Sequence, residues 1–235
     1  MLCKIADLLV EVPDTGDMGR RCGDYLYTGP GEADITIDAE KYTLENWPGL
    51  SEDNAIYMES GVYFYLYLLQ HSGLMLHSSA VEMDGKAYLF SGQCGMGKST
   101  HTRLWQKTFG EAAQVFNDDK PALRCIDGKW YAYGTPWCGK DGINQNKKVP
   151  LAGICFLKQA PHNAIRRLSA KEAMHMLFSQ TLYRFKLVEN LDRMLSLVDQ
   201  LVRQVPIYEL ENRPEEAAVR LSYETMRRGA EEETV

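Results

Sequence analysis

Residues 92 to 99 read Gly92-Gln93-Cys94-Gly95-Met96-Gly97-Lys98-Ser99 and complete the pattern G-x-x-x-x-G-K-[ST]. The pattern constrains the fold because it needs a strand leading in and a helix leading out. Both flanks comply. Ala87-Tyr88-Leu89-Phe90 is a short apolar run suited to a buried strand, and Ser99-Thr100-His101-Thr102-Arg103-Leu104-Trp105 can open a helix. Glycines allow positive φ and bring several N–H groups near phosphate oxygens, while the helix N-terminus adds partial positive charge. Lys98 is then placed for the β- and γ-phosphates and the Ser99 hydroxyl for Mg²⁺. The expected ligand is a nucleoside triphosphate, or at least a polyphosphate. Its binding set is Gly92, Gln93, Cys94, Gly95, Met96, Gly97, Lys98, Ser99 and Thr100.

A chain of 235 residues can bury a large core, as one domain or two small ones. The net charge of −6 disfavours general attraction to nucleic acid or to an anionic membrane. No apolar run approaches the roughly 18 residues that a membrane span needs. The richest stretch, Val62 to Leu69, is short and full of tyrosine, and Leu8-Leu9-Val10 is too brief for a signal-peptide core. The six cysteines form no C-x-x-C pair and have no histidines at zinc spacing. A reduced, cytoplasmic protein is the expectation.

Along the chain, residues 1–50 alternate short apolar runs with turn clusters, and Asp34-Ile35-Thr36-Ile37-Asp38 alternates with period two. This reads as a small, mainly β N-terminal portion packed on the core and extending its sheet. Residues 53–71 read as a helix with Ile56, Val62, Tyr63, Leu66, Tyr67 and Leu69 on one broad face and Glu59 and Gln70 outside it. A strand from Leu74 to Glu82 and another from Lys86 to Phe90 are joined by a Met83-Asp84-Gly85 hairpin. Asp127-Gly128 marks a second hairpin, and the apolar run Leu151–Leu157 a central strand. Helices are expected after the Ser169-Ala170-Lys171-Glu172 capping box, from Leu187 to Val205, and from Pro214. The fold class is α/β, with a hairpin-rich mixed sheet and C-terminal helices. The expected units are residues 1–50, a P-loop domain over 51–228, and a frayed acidic tail at 229–235.

Phosphoryl transfer also needs a metal and a group that positions or deprotonates the nucleophile. Asn117-Asp118-Asp119-Lys120 follows the apolar run Val115-Phe116. Carboxylates at a strand end beside a P-loop suit Mg²⁺ and a hydroxyl proton, although the same tetrapeptide makes a good solvated turn. His77, within an apolar strand, reads on its own more readily as a satisfied core residue than as a functional one. Gly134 to Lys148 is either a long connection or a substrate loop, with Lys140, Lys147 and Lys148 to neutralise phosphate and Trp137 to shape a pocket. Cys94 inside the phosphate loop is a small loop residue or a redox switch.

Taken together, Leu76-His77-Ser78-Ser79-Ala80-Val81, a glycine hairpin, Leu89-Phe90-Ser91-Gly92 with the P-loop, and then Asn117-Asp118-Asp119 resemble the core of HPr kinase/phosphorylase. That core belongs to the phosphoenolpyruvate carboxykinase-like P-loop fold. The resemblance covers residues 74 to 126 and is looser through 134–157, which is more like the small HPr kinase-related kinases. It implies that Asp119 is the proton acceptor, that His77 is the histidine preceding the P-loop, and that Lys98 and Ser99 are the phosphate and Mg²⁺ ligands. Asp118 would support the metal or orient its neighbour. No arginine/glutamate signature of the family's capture loop occurs in 134–148, and the N-terminal 50 residues are too short for the founding enzyme's separate N-terminal domain.

The leading expectation is an ATP- and Mg-dependent kinase whose partner is a hydroxyl-bearing acceptor, a serine of a peptide or protein or a small molecule. Catalysis would fall to Asp119, His77 and Lys98, and metal binding to Ser99 and Asp118. A nucleotide-binding regulatory module without turnover and an NTPase are the rivals. No membrane partner and no general nucleic-acid binding are expected; a homo-oligomer is compatible with the sequence, which leaves the acceptor and the choice among ATP, GTP and pyrophosphate open.

Overall fold

The computed structural model describes residues 1–38, 46–181 and 188–232. Its strands are β1 (Leu2–Ile5), β2 (Leu8–Glu11), β3 (Ile35–Thr36), β4 (Gly73–Met75), β5 (Ser78–Met83) and β6 (Lys86–Ser91). They continue with β7 (Gln114–Asn117), β8 (Ala122–Ile126), β9 (Lys129–Tyr133), β10 (Lys148–Gln159), β11 (Ala164–Arg167) and β12 (Ile207–Asn212). The helices are α1 (Gly16–Arg21), α2 (Glu52–Leu68), α3 (Lys98–Phe109), α4 (Ala170–Gln180), α5 (Val188–Gln204) and α6 (Glu216–Glu232). The class is mixed α/β. None of the described helices is long and apolar enough to cross a membrane.

The main sheet runs β4-β8-β9-β10-β6-β5-β7, with β12 and then β11 added to β10. β10 is the hub. Its first residues pair antiparallel with β9, while Ile154 pairs with both Leu89 of β6 and Ile207 of β12, in parallel. That position on two neighbours explains why Leu151–Leu157 is apolar almost throughout. Alternation splits the strands between two cores. Ala87, Leu89, Ile154 and Phe156 join the layer with α4 and α5, whereas Tyr88, Phe90, Cys155 and Leu157 join the layer containing Trp105 of α3 and Met226 of α6. Both expected hairpins form: Asp84 and Gly85, like Asp127 and Gly128, have positive φ, as a two-residue turn of the primed type requires. The Ser169 capping box is complete.

Four local expectations are corrected. The N-terminal strands do not extend the main sheet but form their own three-stranded sheet, β1-β2-β3. Its core is completed from outside, by Phe64 and Tyr65 of α2, Tyr133 of β9 and Trp137. Second, Glu59 is buried rather than outside, and it accepts from Asn46 Nδ2 (2.9 Å) and Trp47 Nε1 (2.8 Å). Burial on α2 runs nearly all round because it contributes to this shared core, leaving Tyr67 exposed. Third, the strand read from Leu74 to Glu82 is two: β4 pairs with β8, β5 pairs with β6 and β7, and Leu76-His77 lies at the break. Fourth, α6 starts at Glu216, two residues after Pro214, and continues to Glu232; residues 233–235 of the expected tail lie outside the described residues.

Candidate active site

Strand direction brings the sequence-separated candidates to one edge of the sheet. β6, β10 and β12 run parallel, and β7 runs with them because both β6 and β7 are antiparallel to β5. The C-terminal ends of β7, β6, β10 and β12 therefore line up with the N-terminal end of β5. In an open α/β sheet this is the edge where loops gather around ligands. Across it come, in order, Asp118-Asp119 after β7, His77 before β5, the glycine loop after β6, Gln159 at the end of β10, and Asn212 at the end of β12.

The glycine loop leads from β6 straight into α3. Gly92, Gly95 and Gly97 have φ of 146°, 85° and 92°, and α3 begins at Lys98. Cys94 and Gly95 are exposed, Ser99 is half-buried in the first turn of α3, and Lys98 is buried. The Lys98 ammonium donates to the Gly92 carbonyl at 2.9 Å, across the mouth of its own loop. Burial pulls the Lys98 pKa below the usual lysine range, and the Asp119 charge acts in the opposite sense. Thr102 Oγ1 and Ser79 Oγ, 2.9 Å apart, fasten α3 to β5 beneath the loop.

His77 and Asp119 form a pair. His77 Nε2 lies 3.1 Å from Asp119 Oδ1, and His77 Nδ1 lies 3.1 Å from Gln180 Oε1, so both ring nitrogens face an acceptor. The His77 N–H donates to the Gln180 carbonyl (2.9 Å), and the Ser91 hydroxyl donates to the His77 carbonyl (2.8 Å). The last residue of β6 thus holds the histidine backbone. Asp119 also accepts from Lys120 Nζ at 2.5 Å. Burial would raise the Asp119 carboxyl, but the His77 hydrogen bond and the Lys120 charge outweigh it and bring the pKa to about 2.

Asn117-Asp118-Asp119-Lys120 is both turn and site. The fully buried Asn117 accepts the N–H groups of Asp119 (3.1 Å) and Lys120 (2.8 Å) on Oδ1, an Asx turn that aims Asp119 at His77. Asp118 points elsewhere: Oδ1 accepts from Gly139 N (2.7 Å) and Oδ2 from Asp141 N (3.3 Å). Burial raises its pKa against these two bonds, with the neighbouring Asp119 charge adding to the rise. In this geometry Asp118 anchors the following loop.

Much of that loop is core, which corrects its reading as a pocket former. Trp137 is buried, stacks on Phe64 with centroids 4.7 Å apart, and donates from Nε1 to the Tyr57 carbonyl and Ser60 Oγ. Cys138 N donates to Tyr57 Oη at 2.9 Å. Lys147 pairs with Glu82 and Gln114, and Lys148 with Asp7 of the N-terminal turn, so neither is a spare phosphate ligand. Lys140 is exposed in the short stretch Lys140–Gly142, which is fastened by the Arg103–Asp141 ion pair to α3. Sequence reasoning missed Gln180 and Ser91 as the partners of His77, because both come from elements that only the fold brings beside it.

A family model described as "SynChlorMet cassette protein ScmC" matches residues 50–213. No curated protein matches the chain. Among solved structures, the Hpr(Ser) kinase/phosphatase from Coxiella burnetii is similar at 12% identity and a TM-score of 0.35, covering 65% of this chain and 97% of that one. That likeness is too slight to carry the reading of the site.

Proposed function

The chain belongs to the SynChlorMet cassette protein ScmC family, and we propose that it is an ATP- and Mg-dependent kinase that transfers the γ-phosphate to a hydroxyl. The acceptor would be a serine of a peptide or protein, or a small molecule. The observation that carries this reading is the placement of the His77–Asp119 pair beside the glycine loop, on the same sheet edge. The motif resemblance to HPr kinase/phosphorylase assigns the same residues the same roles.

In this reading the backbone N–H groups of Gly92–Ser99 and the Lys98 ammonium hold the β- and γ-phosphates, Lys98 exchanging the Gly92 carbonyl for a phosphate oxygen. The acceptor oxygen forms a bond to the γ-phosphorus as the bond to the β–γ bridging oxygen breaks, leaving a nucleoside diphosphate. Asp119 takes the hydroxyl proton. A carboxylate near pKa 2 is a weak base, which suits a loose transition state in which that proton moves late. His77, held by Gln180 and the Ser91 hydroxyl, fixes the rotamer of Asp119.

No three His, Cys, Asp or Glu side chains cluster as a metal cage among the described residues. That fits Mg²⁺, which is usually held by one or two protein ligands with phosphates and water. Ser99, in the first turn of α3, fits such a role; Asp118, with both oxygens on loop N–H groups, fits it only through water. When bound, the ion would neutralise charge on the phosphates.

Replacing Lys98 by Ala is expected to leave the fold intact and abolish transfer of label from γ-labelled ATP to acceptors in a fractionated extract. Asp119→Asn should abolish transfer while nucleotide binding persists. An active Lys98→Ala protein would sink the mechanism. Partner control that survives Asp119→Asn would mean a regulatory module, and phosphate release without acceptor labelling an NTPase.

A further inference from the structure

We infer that a cavity at the opposite edge of the main sheet, where β10 changes partners, is a binding site for a small organic acid with a flat apolar body and a carboxylate. The cavity measures about 570 Å³, within the roughly 300–1,000 Å³ typical of small-molecule sites. Its walls come from Lys86 at the start of β6, Lys129 and Trp130 of β9, Leu151 of β10, and Gln204 to Pro206 ahead of β12. The glycine loop and the His77–Asp119 pair lie at the far end of the same parallel strands. Along β6, Lys86 and Ser91 are about 17 Å apart at ~3.3 Å per residue. This site is therefore separate from the candidate active site and does not depend on the nucleotide reading.

The opening follows from the course of β10. Its pairing with β9 ends at Pro150, its pairing with β6 begins at Leu151, and its pairing with β12 begins only at Ile154. The register against β6 shifts between Leu151 and Gly153, so Ala152 has no opposite residue there. Pro150, Leu151 and Ala152 all line the cavity. A bulge of this kind re-aims side chains and ends pairing, and such bulges are over-represented beside binding sites. On the other wall α5 stops at Gln204, and Pro206 turns the chain into β12.

The lining chooses the ligand. Lys86 is half-buried and Lys129 exposed, and neither ammonium has a carboxylate partner among the described residues. Lys120, Lys147, Lys148 and Lys158, by contrast, each hold one. No Asp or Glu is among the described residues that line the cavity. Gln204 Oε1 accepts from Trp130 Nε1 at 2.9 Å, which fixes the amide and leaves its NH₂ without a partner among the described residues. The side-chain polar groups on offer are thus donors. The rest is apolar: Trp130, Leu151 and Val205 belong to the core layer with α4 and α5, and Pro150 and Pro206 flank them. The C-termini of α5 and α6 also end near this wall, each counting as about half a negative charge. Two whole ammonium charges exceed that, so an anion whose flat body covers the apolar wall fits best.

The test is calorimetry on the full chain with indole-3-acetate, its neutral isostere indole-3-acetamide, and acetate. Indole-3-acetate is expected to bind at least about tenfold more tightly than either, about 1.4 kcal/mol. Replacing both lysines, Lys86→Gln with Lys129→Gln, should bring acid and amide to one affinity. Pro150→Trp, at an exposed position of β10, fills the cavity and should abolish binding of both. Lys98→Ala should leave the acid's affinity unchanged, which separates this site from anion binding at the glycine loop. Where Pro150→Trp fails to fold, the lysine pair decides alone. No binding of indole-3-acetate, equal affinity for acid and amide in the unaltered protein, a preference that survives loss of both lysines, or one lost in Lys98→Ala overturns the site.

Discussion

Asp119 and His101 make stability depend on acid in two separable windows. The neutral, buried His101 has a folded pKa of about 3 against a usual 6.5, so the unfolded chain binds its proton first. Stability should decline as pH falls below about 6.5 and level off for this group near 3. Asp119 is depressed to about 2 from 3.8, so its contribution is complete above 3.8 and is lost as pH falls toward 2. For this mostly buried carboxylate the loss is on the order of 2 kcal/mol. Urea unfolding from pH 7 to 2 should show both declines, and Asp119→Asn should make the lower one shallower, Asp7, Glu172, Asp199 and Glu211 supplying the rest. An unaltered low-pH slope in Asp119→Asn would contradict the His77 pairing. The strand and helix flanking the glycine motif were legible in sequence because such a pattern is local. The contacts of Asn117 and Gln180 were not, because a side-chain amide has meaning only once its partners are known.

At the scale of elements, the segment after β9 is held by packing and by the turn that follows β7. Gly134 has no room for a side chain, since a Cβ there would lie 1.8 Å from the Gln145 carbonyl oxygen. Gly134→Ala should therefore destabilise by more than the ~1–3 kcal/mol usual for overpacking. Trp137→Ala should cost about 3–5 kcal/mol, with its ring lost from Phe64 and its N–H from Tyr57 and Ser60. Equilibrium denaturation checks both. Asp118→Ala removes the acceptors of Gly139 and Asp141, and faster amide exchange confined to Gly139–Gly142 is the expected result. Hairpins and caps were readable here because Asp-Gly turns and the Ser169 box are self-contained. The break at Leu76-His77 was not, since an unbroken apolar run hides a change of sheet partner.

Across the whole molecule, the N-terminal sheet is joined to the main sheet by polar contacts as well as by apolar packing. Arg124 of β8 donates from Nη1 to the Ala6 carbonyl (2.6 Å) and from Nε to the His71 carbonyl (3.0 Å). Ala6 and Asp7 both hold positive φ in the β1–β2 turn, and Asp7 accepts from Tyr133 Oη (2.8 Å) and Lys148 Nζ (2.7 Å). Arg124→Met should strand two carbonyls and cost about 1–3 kcal/mol per unsatisfied group. A single, lowered melting transition is expected; separate melting of the N-terminal sheet would show that the joint is not shared. The α/β class was legible from the strand–loop–helix motif, but this division of labour was not, because residues 1–38 contain no sign of which distant side chains complete their core. The hub position of β10 also has a consequence in time. β6 and the glycine loop emerge from the ribosome well before Ile154 and Ile207, the residues that complete the sheet beside them. A nascent chain ending before β10 leaves one edge of β6 unpaired, a state prone to association. Synthesis must therefore pass β12 before the loop after β6 gains its finished setting.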